Sequence, residues 1–453
     1  MTSTSDTTRI VVIGGSYGGV ACVNQLMHSL PKSSKVAIIL IESRDARHHC
    51  IATYRALVQE EFVKNLWIPY THLFPEDSPH KVVRGTVQHV FNDHVLLSSD
   101  EIPSLSDITL SQGSVDSKTD PRRVDFDYLV IATGSMVPSP AKMKVKSSAE
   151  GLSVLKRTRE DIKQSERIVI VGGGACGVEM AGEIKYAFPS KTVTLIHASS
   201  DLVDYPGFPK SFKNQTRHYL EKQGVDVILN ETAEIPGLSR EYSVQRAERT
   251  ITLKKSGRTI ESDLQILSIG MEVDTTILST LRPPSQDDPD KATTTRFDFK
   301  TLLDPKSKAV LVKSTLQLKN DAFPNIFAIG DVSKADPVPT CMSAISSGQT
   351  CARNIVKLIH KAERSRVRRG SEAEDNSQRD SEDEIDGYLC RSWTKLEDYV
   401  PIRPLMVLAM NPLGGVCHLP VLGSWFGGVA AWLVKSGDLM SGRFWREMNM
   451  PRP

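Results

Sequence analysis

Residues 167–183, RIVIVGGGACGVEMAGE, constrain the fold of this chain more than any other stretch, because a β-branched run stops at three glycines and restarts with helical spacing. That pattern predicts a strand, a tight turn and a helix. Gly172, Gly174 and Gly177 fit GxGxxG. The first glycine permits the turn, the second lets a pyrophosphate approach bare backbone, and the third lets helix pack on strand. Free N–H groups at the helix start then receive the phosphates. A near copy, GGSYGG, stands at residues 14–19 after the strand-like run 9–13. Two dinucleotide sites in one chain are the central reading.

In the first copy, residues 20–30 continue as a helix that Pro31 stops, and residues 36–41 read as the second strand. That strand ends in Glu42, a carboxylate placed to accept hydrogen bonds from the ribose hydroxyls of an adenosine. Ser16 stands at the middle glycine position and adds a small side chain where the pyrophosphate approaches. In the second copy the matching strand, 192–196, ends in His197 instead of an acid. An acid there would select NADH by binding a free 2′-hydroxyl, whereas a neutral or cationic side chain leaves room for a 2′-phosphate, so NADH and NADPH both stay open.

At 453 residues the chain has length for two or three domains with real cores. A net charge of +2 with 24% charged residues exerts no global pull on nucleic acid, and no nucleic-acid partner is expected. Seven cysteines form no CxxC or CxxxxC pair, which argues against a disulfide scaffold and against a dithiol relay, and points to a reducing compartment. Residues 1–8 have no apolar signal core, and no apolar run reaches the ~18–20 residues of a membrane span. Adjacent His48, His49 and Cys50 cannot easily share one tetrahedral ion, so no metal is expected. Residues 100–123 read as a polar surface insertion and 282–296 as a loop. Residues 361–387 switch from basic to acidic with almost no apolar residue, the composition of a disordered charged loop. Beyond it, short strands are expected at 404–410 and 415–419, followed by an aromatic run with Trp425, Phe426, Trp432, Phe444 and Trp445 beside Lys435, Arg443 and Arg446. Such a run suits a helix on a membrane interface, a dimer contact or a cover over a cofactor equally well.

Two further stretches complete a recognisable order. FDYLVIATGS at 126–135 is a buried strand that turns back at Thr133 and Gly134, and NIFAIGDVS at 325–333 ends a strand at Gly330 and Asp331. The series GGSYGG, ATGS, GGGACGVE and NIFAIGDVS resembles the pyridine-nucleotide:disulfide-oxidoreductase superfamily of two-dinucleotide flavoproteins, without its redox disulfide. Within it the sequence is most similar to type II NADH:quinone dehydrogenases and the apoptosis-inducing-factor-like ferroptosis suppressor proteins, fungal ones in particular. The resemblance is strong over residues 8–360 and loose over the last 65 or so.

What the resemblance implies is an α/β chain with two Rossmann-like domains and a small C-terminal α+β region. FAD binding would occupy residues 9–147 and 276–360, NAD(P)H binding an inserted domain at 148–275, and the C-terminal region 388–453. FAD would lie on Gly14, Gly15, Ser16, Gly18, Gly19, Glu42, Thr133, Gly134, Gly330 and Asp331, the last bonding the ribityl chain. NADH or NADPH would lie on Gly172, Gly174, Gly177 and His197, with Glu179 of the GVE motif as the catalytic residue that positions the nicotinamide carboxamide. Electrons would leave to a quinone-type acceptor, with peripheral membrane contact through residues 424–453 and a place in the cytoplasm or on an organelle such as the mitochondrion. The alternatives are a flavoenzyme tailoring a small molecule in a biosynthetic pathway, and a signalling flavoprotein of the apoptosis-inducing-factor kind.

Overall fold

Runs of Val, Ile and Leu pair as parallel strands wherever both sheet faces are covered, and this chain has two such sets. The computed structural model describes residues 7–99, 120–283, 297–371, 395–426 and 431–453. In chain order the strands are β1 (Thr8–Ile13), β2 (Val36–Glu42), β3 (Ala46–His48), β4 (Trp67–Pro69), β5 (Lys81–Arg84), β6 (Val87–Val90), β7 (His94–Leu97), β8 (Arg123–Asp125), β9 (Tyr128–Ile131), β10 (Arg167–Val171), β11 (Thr192–Ile196), β12 (Asp226–Ile228), β13 (Val244–Thr252), β14 (Thr259–Leu267), β15 (Ile326–Ala328), β16 (Met406–Asn411), β17 (Gly414–Leu419) and β18 (Gly423–Phe426). The helices are α1 (Tyr17–Ser29), α2 (Thr53–Val58), α3 (Ser148–Gln164), α4 (Ala175–Ala187), α5 (Lys210–Gln223), α6 (Cys341–Ser371) and α7 (Ser441–Arg446). The residues separate into two compact units.

The first unit comprises Met1–Ser43, Phe74–Gly134 and Val273–Pro401. Its main sheet has the order β15-β9-β1-β2-β5, with every pairing parallel. Ile10, Val11 and Val12 of β1 are fully buried at its centre, each removal from water being worth roughly 1.5–3 kcal/mol. Helix α1 lies on α6 at glycine contacts: a Cβ on Gly348 would stand 2.4 Å from the Gly18 carbonyl oxygen, so only bare backbone permits the approach. Helix α6 runs to Ser371, into the stretch whose composition reads as a loop from residue 361. The buried face at Ile355, Val356 and Ile359 nucleates the helix, and good formers such as Lys361, Ala362 and Glu363 then propagate it one bond per residue. The remainder of that charged stretch, most of the insertion expected at 100–123 and most of the loop expected at 282–296 lie outside the described residues.

The second unit comprises Arg44–Leu73, Ser135–Glu272 and Ile402–Pro453. Its main sheet has the order β12-β11-β10-β14-β13, parallel except for the β13–β14 hairpin. A three-stranded antiparallel meander, β16-β17-β18, occupies the chain's last part. Two of its strands match the sequence expectation within two residues, and β18 falls inside the aromatic run, for which an interfacial helix is one of three sequence readings. Among the described residues no helix is long and apolar enough to cross a membrane.

Candidate dinucleotide sites

In the first unit the parallel register brings four separate stretches to one sheet edge. Strands β1, β2, β9 and β15 all point the same way, so Gly14, Glu42, Thr133–Gly134 and Gly330–Asp331 leave the sheet together at its carboxyl end. That edge is where open α/β sheets receive nucleotides. Gly14 has φ +102°, and a Cβ there would lie 2.4 Å from the Ala132 carbonyl oxygen. A Cβ on Gly19 would lie 1.8 Å from the Gly14 carbonyl oxygen, which is the close helix–strand packing the third glycine is for. The Gly15 N–H donates to Glu42 Oε2 at 2.7 Å, and Ser43 Oγ donates to Glu42 Oε1 at 3.1 Å, so the carboxylate is fixed beside the turn. Ser16 is the exposed N-cap of α1 and makes no side-chain capping bond. Thr133 is exposed, and Gly134 turns at φ +74° with open space where a Cβ would be. The Gly330 N–H donates to Ser347 Oγ at 3.1 Å, tying the Asp331 turn to α6. Bare backbone, an oriented carboxylate and open space at Gly134 fit a dinucleotide such as FAD.

The second unit repeats this edge with one substitution. Gly172 has φ +121°, and a Cβ there would stand 2.0 Å from the Ser268 carbonyl oxygen; one on Gly177 would stand 1.9 Å from the Gly172 carbonyl oxygen. Where Gly15 meets Glu42, the Gly173 N–H donates to His197 Nδ1 at 3.1 Å. Burial lowers the His197 pKa, only partly opposed by Asp204. The ring is therefore a neutral acceptor at Nδ1. The Ala175 N–H, in the first turn of α4, donates to the Tyr205 hydroxyl at 3.2 Å. The sequence offers no signal for Tyr205, a single aromatic in an aperiodic loop.

Glu179 lies one turn further along α4 and is buried. Its Oε1 accepts from the Ala409 N–H of β16 at 2.9 Å and from Lys435 Nζ at 2.5 Å, while Lys435 also donates to the Val407 carbonyl at 3.1 Å. One turn on, Glu183 is bound by Arg55 Nε at 2.8 Å, and the Arg55 guanidinium donates to the Ser436 carbonyl at 3.1 Å. Burial raises the Glu183 pKa, and Arg55 opposes the rise. Two carboxylates on α4 thus clamp three segments distant in sequence.

This clamp changes the reading of the aromatic run. Lys435 is spent on Glu179, and Arg443 pairs with Glu447 at 3.0 Å. Phe444 is fully buried and Trp445 nearly so, with Trp445 Nε1–H donating to the Asn65 carbonyl at 3.3 Å. Trp432 is 51% exposed. The described part of the run is a strand, a wide helical turn at Trp432–Ser436 and the short α7, not one amphipathic helix.

The adjacent histidines serve the interior of the second unit. His48 stacks on Trp67 at 4.6 Å, with Nε2 3.1 Å from Thr53 Oγ1, and His49 Nε2 lies 2.8 Å from the Leu439 carbonyl oxygen. Burial pushes both down to about 3. Among the described residues no cluster of three or more His, Cys, Asp or Glu could hold a metal ion. Among the described residues Cys22, Cys50, Cys176, Cys341, Cys351 and Cys417 form no disulfide.

Known proteins share this organisation. Apoptosis-inducing factor homolog B of Dictyostelium discoideum is 27% identical, covering 99% of both chains. Ferroptosis suppressor protein 1 of Xenopus laevis is 25% identical, covering 100% of this chain and 98% of its own. The sulfide:quinone oxidoreductase from the hyperthermophilic bacterium Aquifex aeolicus shares the fold with a TM-score of 0.54 at 18% identity, covering 78% of each chain. The family of pyridine nucleotide-disulphide oxidoreductases, flavoproteins that use a nicotinamide nucleotide, matches residues 8–365. With four ordered motifs on two carboxyl-terminal sheet edges and a match over most of its length, this chain belongs to the pyridine nucleotide-disulphide oxidoreductase family and is a pyridine nucleotide-dependent flavoprotein oxidoreductase.

Proposed function

We propose that the protein takes a hydride from NADH or NADPH onto FAD and passes the electrons to a quinone-type acceptor. The convergence of Gly14, Glu42, Gly134 and Asp331 on one parallel sheet edge, repeated by Gly172 and His197 on the other, carries this reading. FAD would be held by segments within 9–147 and 276–360: the turn 14–19 at its pyrophosphate, Glu42 at the adenosine ribose, Thr133 and Gly134 where the chain returns, and Gly330 and Asp331 at the ribityl chain. The nicotinamide nucleotide would be held within 148–275 by Gly172, Gly174 and Gly177, with His197 beside its adenosine ribose. Bound FAD supplies the two-electron acceptor chemistry, and the protein supplies orientation and electrostatics. Glu179 would orient the carboxamide, with Lys435 and the Ala409 N–H fixing the carboxylate in place.

A quinone is favoured on two grounds. A structural neighbour of the same fold is named as acting on one, and the cysteine spacing offers no dithiol motif to receive electrons. Peripheral membrane contact through 424–453 would begin at exposed Trp432 and Arg446, since Lys435, Phe444 and Trp445 are engaged internally. Turnover with NADH or NADPH across a panel of quinones of increasing chain length tests the reading. Rapid multiple turnover is the expected result; flavin reduction without reoxidation by any quinone would overturn the acceptor assignment.

A further inference from the structure

The strap between β11 and α5, residues 197–209, closes over the second glycine turn through three bonds. Gly173 donates its N–H to His197, Gly173 accepts the Val203 N–H at 2.8 Å, and Ala175 donates its N–H to the Tyr205 hydroxyl at 3.2 Å. The strap is held at both ends of its acidic stretch, where Asp201 pairs with Lys210 and Asp204 with Lys213 of α5. Its backbone is strained. Val203 sits at φ +47°, a conformation that β-branched residues rarely adopt. That strained residue accepts the Tyr205 N–H at 2.7 Å and so helps aim the phenol at the helix start.

The phenol oxygen stands where a phosphate oxygen would be received. Ala175 is the first residue of α4, and its N–H is one of the donors left without an intrahelical partner. A Cβ on Gly174 would lie 3.0 Å from the same hydroxyl, so Tyr205 also covers the bare backbone that the second glycine offers to a pyrophosphate.

We propose that Tyr205 competes with the dinucleotide's pyrophosphate for the Ala175 N–H and so sets the affinity of this site. The proposal rests on the reading of residues 167–183 as the nicotinamide-nucleotide site. Binding then proceeds by exchange: the phenol yields the N–H, the phosphate takes it, and the strap's strained geometry at Val203 is free to relax.

Calorimetric titration of the flavin-loaded full chain with ADP-ribose, which carries the pyrophosphate, and with adenosine, which does not, tests this. Tyr205→Phe removes the acceptor and keeps the ring, and should bind ADP-ribose about three- to tenfold more tightly, the range of one net hydrogen bond, with adenosine affinity unmoved. Tyr205→Leu gives the same reading should the Phe variant not fold. ADP-ribose binding that is unchanged or weaker in these variants overturns the proposal, a weaker value marking the hydroxyl as a direct phosphate ligand. A wild-type chain that binds no ADP-ribose at all would instead remove the nucleotide site itself, and the proposal with it.

Discussion

Gly173 donates its N–H to His197 Nδ1 over 3.1 Å, the place in the second glycine turn that Gly15 and Glu42 occupy in the first at 2.7 Å. The same backbone donor is satisfied by an imidazole in one unit and a carboxylate in the other. A carboxylate in that position can also bind the ribose 2′-hydroxyl and repels a 2′-phosphate. A neutral imidazole does neither. His197→Glu should therefore keep the Gly173 bond and shift the ratio of kcat/KM for NADH over NADPH upwards by about tenfold or more, the effect of roughly 1.4 kcal/mol. Steady-state kinetics with both nucleotides would show it, and an unchanged ratio would remove His197 from the ribose site.

Asp331 follows the left-handed Gly330 at the end of β15, on the same edge as Gly14 and Glu42. As the ribityl anchor it would make a charge-assisted hydrogen bond worth about 1.5–3 kcal/mol. Asp331→Ala should weaken FAD binding by about 10- to 100-fold and yield protein depleted in flavin. The ratio of flavin to protein absorbance after purification measures this, and full occupancy would move the FAD site elsewhere.

Lys435 is the ammonium partner of a buried carboxylate. Lys435→Met leaves Glu179 with the Ala409 N–H but without its counter-ion, a change that typically destabilises by about 3–5 kcal/mol. Chemical denaturation of the variant should show a loss of that order. Glu179→Gln in the same background, which removes the stranded charge, should restore part of it; no loss in the single variant would show that the pair contributes nothing to the fold.

His48 and His49 are neutral in the folded chain because burial holds both at about 3, below the ordinary 6.5. Unfolding releases them to ordinary proton affinity, so the unfolded state binds more protons between these values. Their contribution to stability is complete above pH 6.5 and is lost as pH falls towards 3, at up to ~1.4 kcal/mol per pH unit for each group. Denaturation midpoints measured from pH 7.5 to 5 should fall steeply below 6.5, and His49→Gln should flatten the slope. A flat wild-type profile would show that these rings protonate without unfolding.

Local chemistry made much of this legible from sequence. The glycine turns at 14–19 and 172–177 are short-range patterns in which each residue does a definable job, and parallel strands preceding them follow from β-branched runs such as Ile10–Ile13 in β1. The clamps were not legible. Arg55 and Glu183 are 128 residues apart and Lys435 and Glu179 are 256 apart, and nothing in a single sequence couples them. The aromatic run left three readings open for a related reason. Phe444, Trp445 and Lys435 have the composition of an interfacial helix, but their partners Asn65 and Glu179 come from elsewhere in the chain and take them inside. The basic start of 361–387 read as a loop because composition ignores a helix already nucleated upstream, as α6 is.

The central claim is that one chain binds both FAD and a nicotinamide nucleotide and moves a hydride between them. Anaerobic titration of the purified flavoprotein with NADH, and separately NADPH, followed by flavin absorbance, tests it most directly. The account predicts full bleaching of the oxidised flavin band at about one equivalent of nucleotide per flavin, since a hydride carries both electrons. Flavin that stays oxidised under excess of both nucleotides would contradict it.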